Sequence, residues 1–227
     1  MNIVINFLDN KISFIDDAIS TIEIVNKNYF YRIVKILNDY SQNKISNEIY
    51  VCNNLGEEIN LTNKISIFFD YFNFNINSKR NISNLNKYIQ ASFDNSDQEK
   101  LNRIFNNFIN ELKRVVESKD ISLDINYGIE FNLENILKLL DLNIQEKNDI
   151  LSNLLLLIDL EHTLKVNELL IFINLKDYLS DTELNELIKY SMYNNVKILL
   201  IDSKITKNKL KNEKKLVIDD NLEEFIV

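Results

Sequence analysis

The sequence predicts an α/β head assembled from both ends of the chain, with an α-helical segment inserted between them. Three observations carry this reading. Residues 167–202, NELLIFINLKDYLSDTELNELIKYSMYNNVKILLID, place two apolar runs, 169–173 and 196–201, on either side of a segment with helical spacing. That pattern reads as strand, helix, strand. A strand and a helix also lie near the N-terminus, in TIEIVNKNYFYRIVKIL, and the long middle stretch is helical in period.

NIVINFL and TIEIV read as strands. From Asn28 the period changes. Phe30, Ile33, Val34 and Leu37 recur at helical spacing, so 28–41 is an amphipathic helix. EIYVC reads as a strand, NNLGEE as a turn, and ISIFFDYFNF as an apolar run. KRNISNLNKYIQASF reads as a helix. The next helix opens on a capping-box pattern, Ser96 with Glu99 in S-D-Q-E. Leu101, Ile104, Phe105, Phe108, Ile109, Leu112, Val115 and Val116 share one of its faces, and Arg103, Asn107, Asn110 and Arg114 the other. It is expected to pack along its apolar side. DISLDINYGIEFNLENILKLL reads as an acidic extended stretch and then a helix, and 146–162 as a further long helix. Ser180 and Glu183 form a second capping box, and LVI at 216–218 reads as an edge strand. The expected domains are a head, 1–64 with 146–227, and a helical leg, 65–145.

Residue types that are scarce exclude several chemistries. The 227 residues include no proline, no tryptophan, and two glycines, Gly56 and Gly128. A phosphate-binding loop of the GxxxxGK[ST] type needs two close glycines, and so does a dinucleotide fingerprint. The junction between TIEIV and the first helix, NKNYFY, has no glycine with which to wrap a phosphate. One histidine and one cysteine cannot build a structural zinc site. A Ser-His-Asp triad would need His162, which ends the apolar helical run ILSNLLLLIDLEH and reads as a helix-terminal histidine. Cys52 has no disulfide partner and reads as a buried strand thiol. No apolar run approaches the roughly 20 residues of a membrane span. The N-terminal MNIVINFLDNKISF lacks signal-peptide features, so a cytoplasmic location is expected.

Charge is unevenly distributed. The formal net charge is −8, and the sequence pI is about 4.9. Lys79, Arg80 and Lys87 lie on the first helix of the leg, and Arg103 and Arg114 on the second, roughly three turns apart. The densest cationic stretch runs from Lys204 through Lys207, Lys209, Lys211 and Lys214 to Lys215, with a single glutamate among them. Each group reads either as a solvated face or as a contact for a polyanion. The stretch ESKDISLDINYGIEFNLEN supplies Glu117, Asp120, Asp124, Asn126, Glu130 and Glu134. These oxygens suit calcium, yet the EF-hand pattern is absent and such a stretch is more often a solvated acidic loop.

With these elements placed, the sequence resembles the Csn-two family, the type II-A CRISPR-associated DNA-end-binding ring proteins of spacer acquisition. LLIFINLKDYLSDTELNELIKYSMYNNVKILLID is similar to that family's late strand–helix–strand segment, and TIEIVNKNYFYRIVKIL to its early strand and helix. KISIFFDYFNFNINS and SLDINYGIEFNLENILKLL fall in the expected order and spacing. The resemblance covers nearly the whole chain and rests on order, length and the LLIFINLKDYL stretch.

The resemblance implies a nucleoside-kinase-like α/β head without a working phosphate loop, and an α-helical leg. It implies a homotetrameric ring that double-stranded DNA ends enter, no catalysis, and calcium ions that support the assembled form. It further implies partnership with the CRISPR integrase and the RNA-guided effector nuclease. On this basis Lys79, Arg80, Lys87, Arg103, Arg114, Lys204, Lys207, Lys209 and Lys211 are the expected phosphate contacts. Asp124 matches an acidic position of the family; with Asp120, Asn126 and Glu130 it forms the expected calcium site. Two other classes compete. A metal-dependent nuclease or NTPase would use Asp70, Asp202 or Asp219 at strand ends, and a protein-docking scaffold would make no DNA contact.

Overall fold

Short apolar runs form the strands and longer amphipathic ones the helices. In chain order the elements are β1 (Asn2–Ile5), β2 (Ile12–Ser13), β3 (Ile19–Ile24), α1 (Lys27–Ser41), β4 (Ile49–Cys52) and β5 (Ile65–Phe68). There follow α2 (Lys79–Ser92), α3 (Asn95–Glu117) and α4 (Leu133–Leu139). The chain then continues with α5 (Ile150–Leu164), β6 (Leu169–Ile173), a 3-10 turn at Leu175–Asp177, α6 (Asp181–Tyr193), β7 (Ile198–Asp202), β8 (Glu213–Ile218) and β9 (Glu224–Ile226). The computed structural model describes residues 1–15, 18–44, 47–119, 128 and 130–227. They belong to two units, 1–75 with 146–227, and 76–145.

The first unit is built on a six-stranded sheet in the order β5-β6-β7-β3-β8-β9. All neighbours run parallel except β8 and β9. Every residue of β3, β6 and β7 is buried, as parallel strands covered on both faces require. Alternate side chains serve two cores. On one face Ile22, Ile24, Leu169, Ile171 and Ile201 pack with Ile33, Ile36 and Leu37 of α1. Ile3, Ile5, Ile49 and Val51 of an antiparallel sheet, β2-β1-β4, complete that layer. On the other face Leu170, Phe172, Ile198 and Leu200 pack with Leu154, Leu157 and Ile158 of α5 and Leu184, Leu187 and Ile188 of α6.

Local signals set the helix ends. Ser180 and Glu183 make the expected reciprocal capping box at α6. Asp149 caps α5, which therefore begins four residues later than its apolar period suggests. At α3 the cap is Asp94, whose carboxylate accepts from the Asp97 amide. The expected box at Ser96 does not form, because Ser96 already lies inside the first turn.

Three further expectations change. The run at 65–68 pairs with β6 as a parallel strand of the main sheet, so residues 65–75 lie in the first unit and not in the helical one. The LVI segment belongs to β8, which bonds to β3 on one side and β9 on the other; the edge is β9. In the helical unit the apolar side of α3 is largely uncovered, with Ile109 its one buried residue among those described. Ile104, Phe108, Leu112 and Val115 are exposed.

Phe172 is fully buried and stacks on Phe68 at 5.2 Å. Phe172→Ala is expected to cost about 3–5 kcal/mol in chemical denaturation, the usual range for a deleted core aromatic. A cost below about 1 kcal/mol would contradict the two-faced core.

Candidate functional site

Beside the apolar α5/α6 core, the same face of the sheet continues over β3 and β8. Its side chains there are charged: Glu23 of β3, Glu213 and Lys215 of β8, and Asp202 at the end of β7. None of the four is more than 4% exposed. Lys176 reaches them from the 3-10 turn after β6. Its ammonium donates to Glu23 Oε1 at 2.8 Å and to Glu213 Oε1 at 2.7 Å, and lies 3.8 Å from Asp202 Oδ2. The Lys215 ammonium lies 3.1 Å from Glu23 Oε1. The cluster thus joins three carboxylates to two ammonium groups.

The same cluster fastens the loop 203–212 to the sheet. The Thr206 amide donates to Glu23 Oε2 at 3.0 Å, and the Leu210 amide to Glu213 Oε2 at 2.9 Å. Lys215 Nζ donates to the carbonyl oxygens of Thr206 and Asn208, at 3.2 and 3.3 Å. Further out, the Lys211 amide donates to Asn185 Oδ1 of α6, and Asn208 Nδ2 to Asp181 Oδ2. The outer side of this fastened loop carries Lys207, Lys209 and Lys211, all exposed. Among the described residues none of the three makes an ion pair. Lys204 is bound to Asp177 at 2.8 Å.

The six tail lysines are therefore not one patch. Lys214 and Lys215 lie in β8, and Lys215 is 3% exposed. Glu23, Lys176 and Glu213 were not among the expected site residues, and Lys215 was read only as one of the cationic stretch. A lone glutamate inside the buried strand TIEIV, and the alternation Glu213, Lys215, Val217 along β8, were the signals that could have found them.

These contacts oppose a nucleotide-phosphate site at the strand ends and at the start of α1. In open α/β sheets ligands collect at the carboxyl ends of the strands, and anions use free amides at a helix N-terminus. Here the ammonium groups of Lys176 and Lys215 are engaged by Glu23 and Glu213. The Asn28 and Tyr29 amides at the start of α1 donate to the Asn26 side chain, both at 3.1 Å.

The carboxylates proposed for a nuclease are not brought together. Asp70 is exposed and accepts from the Phe72 and Asn73 amides; the bond from the Asn73 side chain, with these two, holds its carboxyl below the ordinary range. Asp219 organises the turn into β9 by accepting from the Asn221 and Glu223 amides. Asp202 is in the buried cluster. Among the described residues, no group of three or more His, Cys, Asp or Glu could hold a metal ion. Of the expected calcium ligands, Asp120, Asp124 and Asn126 lie outside the described residues, and Glu130 is exposed. His162 lies in the last turn of α5, with Nδ1–H donating to the Asn194 carbonyl oxygen at 2.9 Å.

In the helical unit Lys79 and Lys87 line a cavity of about 540 Å³ between α2 and α4, with Ile82 and Leu137 among its walls. Among the described residues neither lysine makes an ion pair. Arg80 is exposed on the same helix. Arg103 is 4.0 Å from Glu99, and Arg114 is 2.6 Å from Glu111, each pair on α3. Such exposed same-helix pairs are worth about 0.3–0.5 kcal/mol, too little to withhold an arginine from a phosphate.

The cluster has a measurable titration. Burial pushes the Asp202 carboxyl up to about 7, against the pull of Lys176 and with the push of Glu23. Its Oδ2 accepts no hydrogen bond. The folded state holds this proton more tightly than the unfolded one. Asp202 therefore contributes stability that is fully present below the ordinary carboxylate range and is lost as pH rises through about 7. Denaturation of the protein and of Asp202→Asn between pH 5 and 8 should show the protein losing ground to the variant. The expected slope is about 1.4 kcal/mol per pH unit at most. Parallel profiles would contradict a protonated Asp202.

The comparisons with known proteins agree with this architecture. The crystal structure of Stu0660 of Streptococcus thermophilus matches 98% of this chain and 76% of its own, with a TM-score of 0.60 at 12% identity, so the two share a fold. No curated protein matches the sequence. Among the described residues no helix is long and apolar enough to cross a membrane. The model of the family described as CRISPR-associated protein (Cas_Csn2) matches residues 39–222. That match spans most of the chain and supports a role in CRISPR adaptation, within a family not known for catalysis. The protein belongs to the Cas_Csn2 family of CRISPR-associated proteins.

Proposed function

We propose that the chain is a non-catalytic, sequence-independent binder of double-stranded DNA ends that assembles as a homotetrameric ring and supports CRISPR spacer acquisition. The observation that carries this reading is the loop 203–212. Buried carboxylates hold it from beneath, and it presents Lys207, Lys209 and Lys211 to solvent with no ion pair among the described residues. A protein of net charge −8 is repelled by DNA on average. Binding then depends on local cations that displace the counterions of the phosphates. A ring multiplies a modest patch without raising the charge of any one chain, because contacts made by linked copies reinforce one another.

The mechanism is electrostatic and topological. Lys207, Lys209 and Lys211, with Lys79, Arg80, Lys87, Arg103, Arg114 and Lys204, contact phosphates and leave the bases unread. An opening framed by cations retains a rod-like polyanion and lets it slide, and entry requires an end. The apolar stripe of Ile104, Phe108, Leu112 and Val115 on α3 supports assembly. Four large apolar side chains in line on an exposed helix face mark a contact surface rather than ordinary surface scatter. Calcium, held by Asp120, Asp124, Asn126 and Glu130, enters through the family resemblance alone. The integrase and the RNA-guided effector nuclease, in the cytoplasm, are the partners of this reading.

Linear duplex is expected to be shifted in a gel and a covalently closed circle of equal length to compete poorly; equal competition would remove the threading step. Alanine at Lys207, Lys209 and Lys211 together should lower the salt slope of binding by about 0.9 for each phosphate that is no longer neutralised. Cleavage of the DNA in Mg²⁺ that Asp202→Asn abolishes would favour a nuclease, and unshifted linear DNA would favour a scaffold. Phe108→Asp with Leu112→Asp should reduce the assembly to smaller species in sedimentation, and an unchanged mass would take α3 out of the interface.

A further inference from the structure

We infer that the cavity between α2 and α4 receives one unpaired nucleotide of a DNA strand. This rests on the DNA-end-binding reading and adds what an end can offer that the rest of a duplex cannot. At an end a nucleotide can be free of its partner, and such a nucleotide costs least to take out of the stack. A site for it needs apolar walls for the base, amide groups for the base edge and a cation for the phosphodiester.

The helical unit carries such a site. The cavity holds about 540 Å³, within the roughly 300–1,000 Å³ of pockets for small organic molecules. That is room for a single nucleotide and not for a stacked duplex. Its frame is tied at one end: Asn77 Nδ2 donates to the Ile144 carbonyl oxygen at 3.0 Å, and Asn77 Oδ1 accepts from the Ile144 amide at 2.6 Å. These bonds join the chain ahead of α2 to the chain after α4. Ile82, Leu137 and Leu142 supply apolar wall, and Leu137 is buried in the helix pair.

One face of α2 supplies the polar wall. Lys79, Ser83, Asn86, Lys87 and Gln90 line the cavity and recur at helical spacing. Among the described residues none of these five side chains makes a hydrogen bond or an ion pair. Asn86 Oδ1 is buried and accepts no hydrogen bond, so the amide is free to turn and present either end to a ligand. With Gln90 one turn on, it offers donors and acceptors to a base edge without selecting one base. The charges choose the source of the nucleotide. Glu134 and Asp141 also line the cavity, and Glu134 is paired with Lys138 at 2.7 Å. Three ammonium groups, those of Lys79, Lys87 and Lys138, against these two carboxylates leave the lining with one net positive charge. A nucleotide within a strand carries a single negative charge, at its phosphodiester, whereas a free nucleotide carries more. The lining therefore balances a strand nucleotide.

The test uses the whole protein and three short duplexes: one blunt, one ending in a single unpaired 2-aminopurine nucleotide, and one with 2-aminopurine paired at its centre. The overhang should bind about tenfold more tightly than the blunt end, as one hydrogen bond to a charged group supplies. Only the unpaired probe should change its fluorescence. Ser83→Trp, which fills the cavity and keeps every charge, and Asn86→Leu, which removes the amide, should each abolish the preference and leave blunt binding as in the parent. Circular dichroism checks that each variant is folded. Deoxyadenosine monophosphate should compete far less well than an unlabelled overhang. If the parent binds both ends equally with a silent probe, or Ser83→Trp keeps the preference, nucleotide capture is overturned and DNA-end binding stands. If the free monophosphate competes as well as the overhang, the site serves a small molecule and the strand source is overturned. If Ser83→Trp sediments as a smaller species, the cavity is a contact between copies, and nucleotide capture is overturned. If no duplex binds, both readings fall.

Discussion

Two buried lysines hold three buried carboxylates together beneath the loop 203–212, and the arrangement of the head follows from that constraint. Glu23, Asp202 and Glu213 sit on strands that are otherwise largely apolar. Unpaired, each charge would be strongly unfavourable in such a place. Lys176 and Lys215 neutralise most of that charge, and burial raises the affinity of the Asp202 carboxyl for a proton. Buried networks of this type add little net stability, because desolvation offsets the attraction between partners. What this one supplies is position. It draws the 3-10 turn and the loop onto the sheet, so that a stretch rich in lysine and without proline has a defined path.

The network also separates this head from nucleotide-binding proteins of the same general architecture. The ammonium groups that could receive a phosphate are taken by carboxylates, and the first amides of α1 are taken by Asn26. The deficit is double, in the glycines of the sequence and in the donors of the structure. The ammonium groups of Lys176 and Lys215 therefore hold the loop and the 3-10 turn to the sheet.

Much of the fold was legible because the periods were clean. The strands β3, β6 and β7 and the helices α1, α2 and α6 lie where alternation and helical spacing put them. The run at 65–68 was assigned to the leg because a parallel strand gives no local sign of its partner, and β6 lies about a hundred residues away. The capping pattern at Ser96 misled because Asp94, two residues earlier, offers the Asp97 amide an acceptor outside the helix. The apolar face of α3 was expected to be covered, since a pattern of hydrophobic residues reports that a partner exists and not that it lies in the same chain. Of the candidate site, the exposed lysines were visible in the sequence. The buried members were not, because a lysine in a strand looks the same whether it faces solvent or a glutamate.

Hydrogen exchange at residues 203–212, with and without linear duplex DNA, tests most directly whether a fastened loop serves DNA. The amides of Thr206, Leu210 and Lys211 should exchange slowly in the free protein, and linear duplex should protect the segment further while β9 stays unchanged. Exchange at the rate of an unstructured chain, together with no effect of DNA on this segment, would contradict the account.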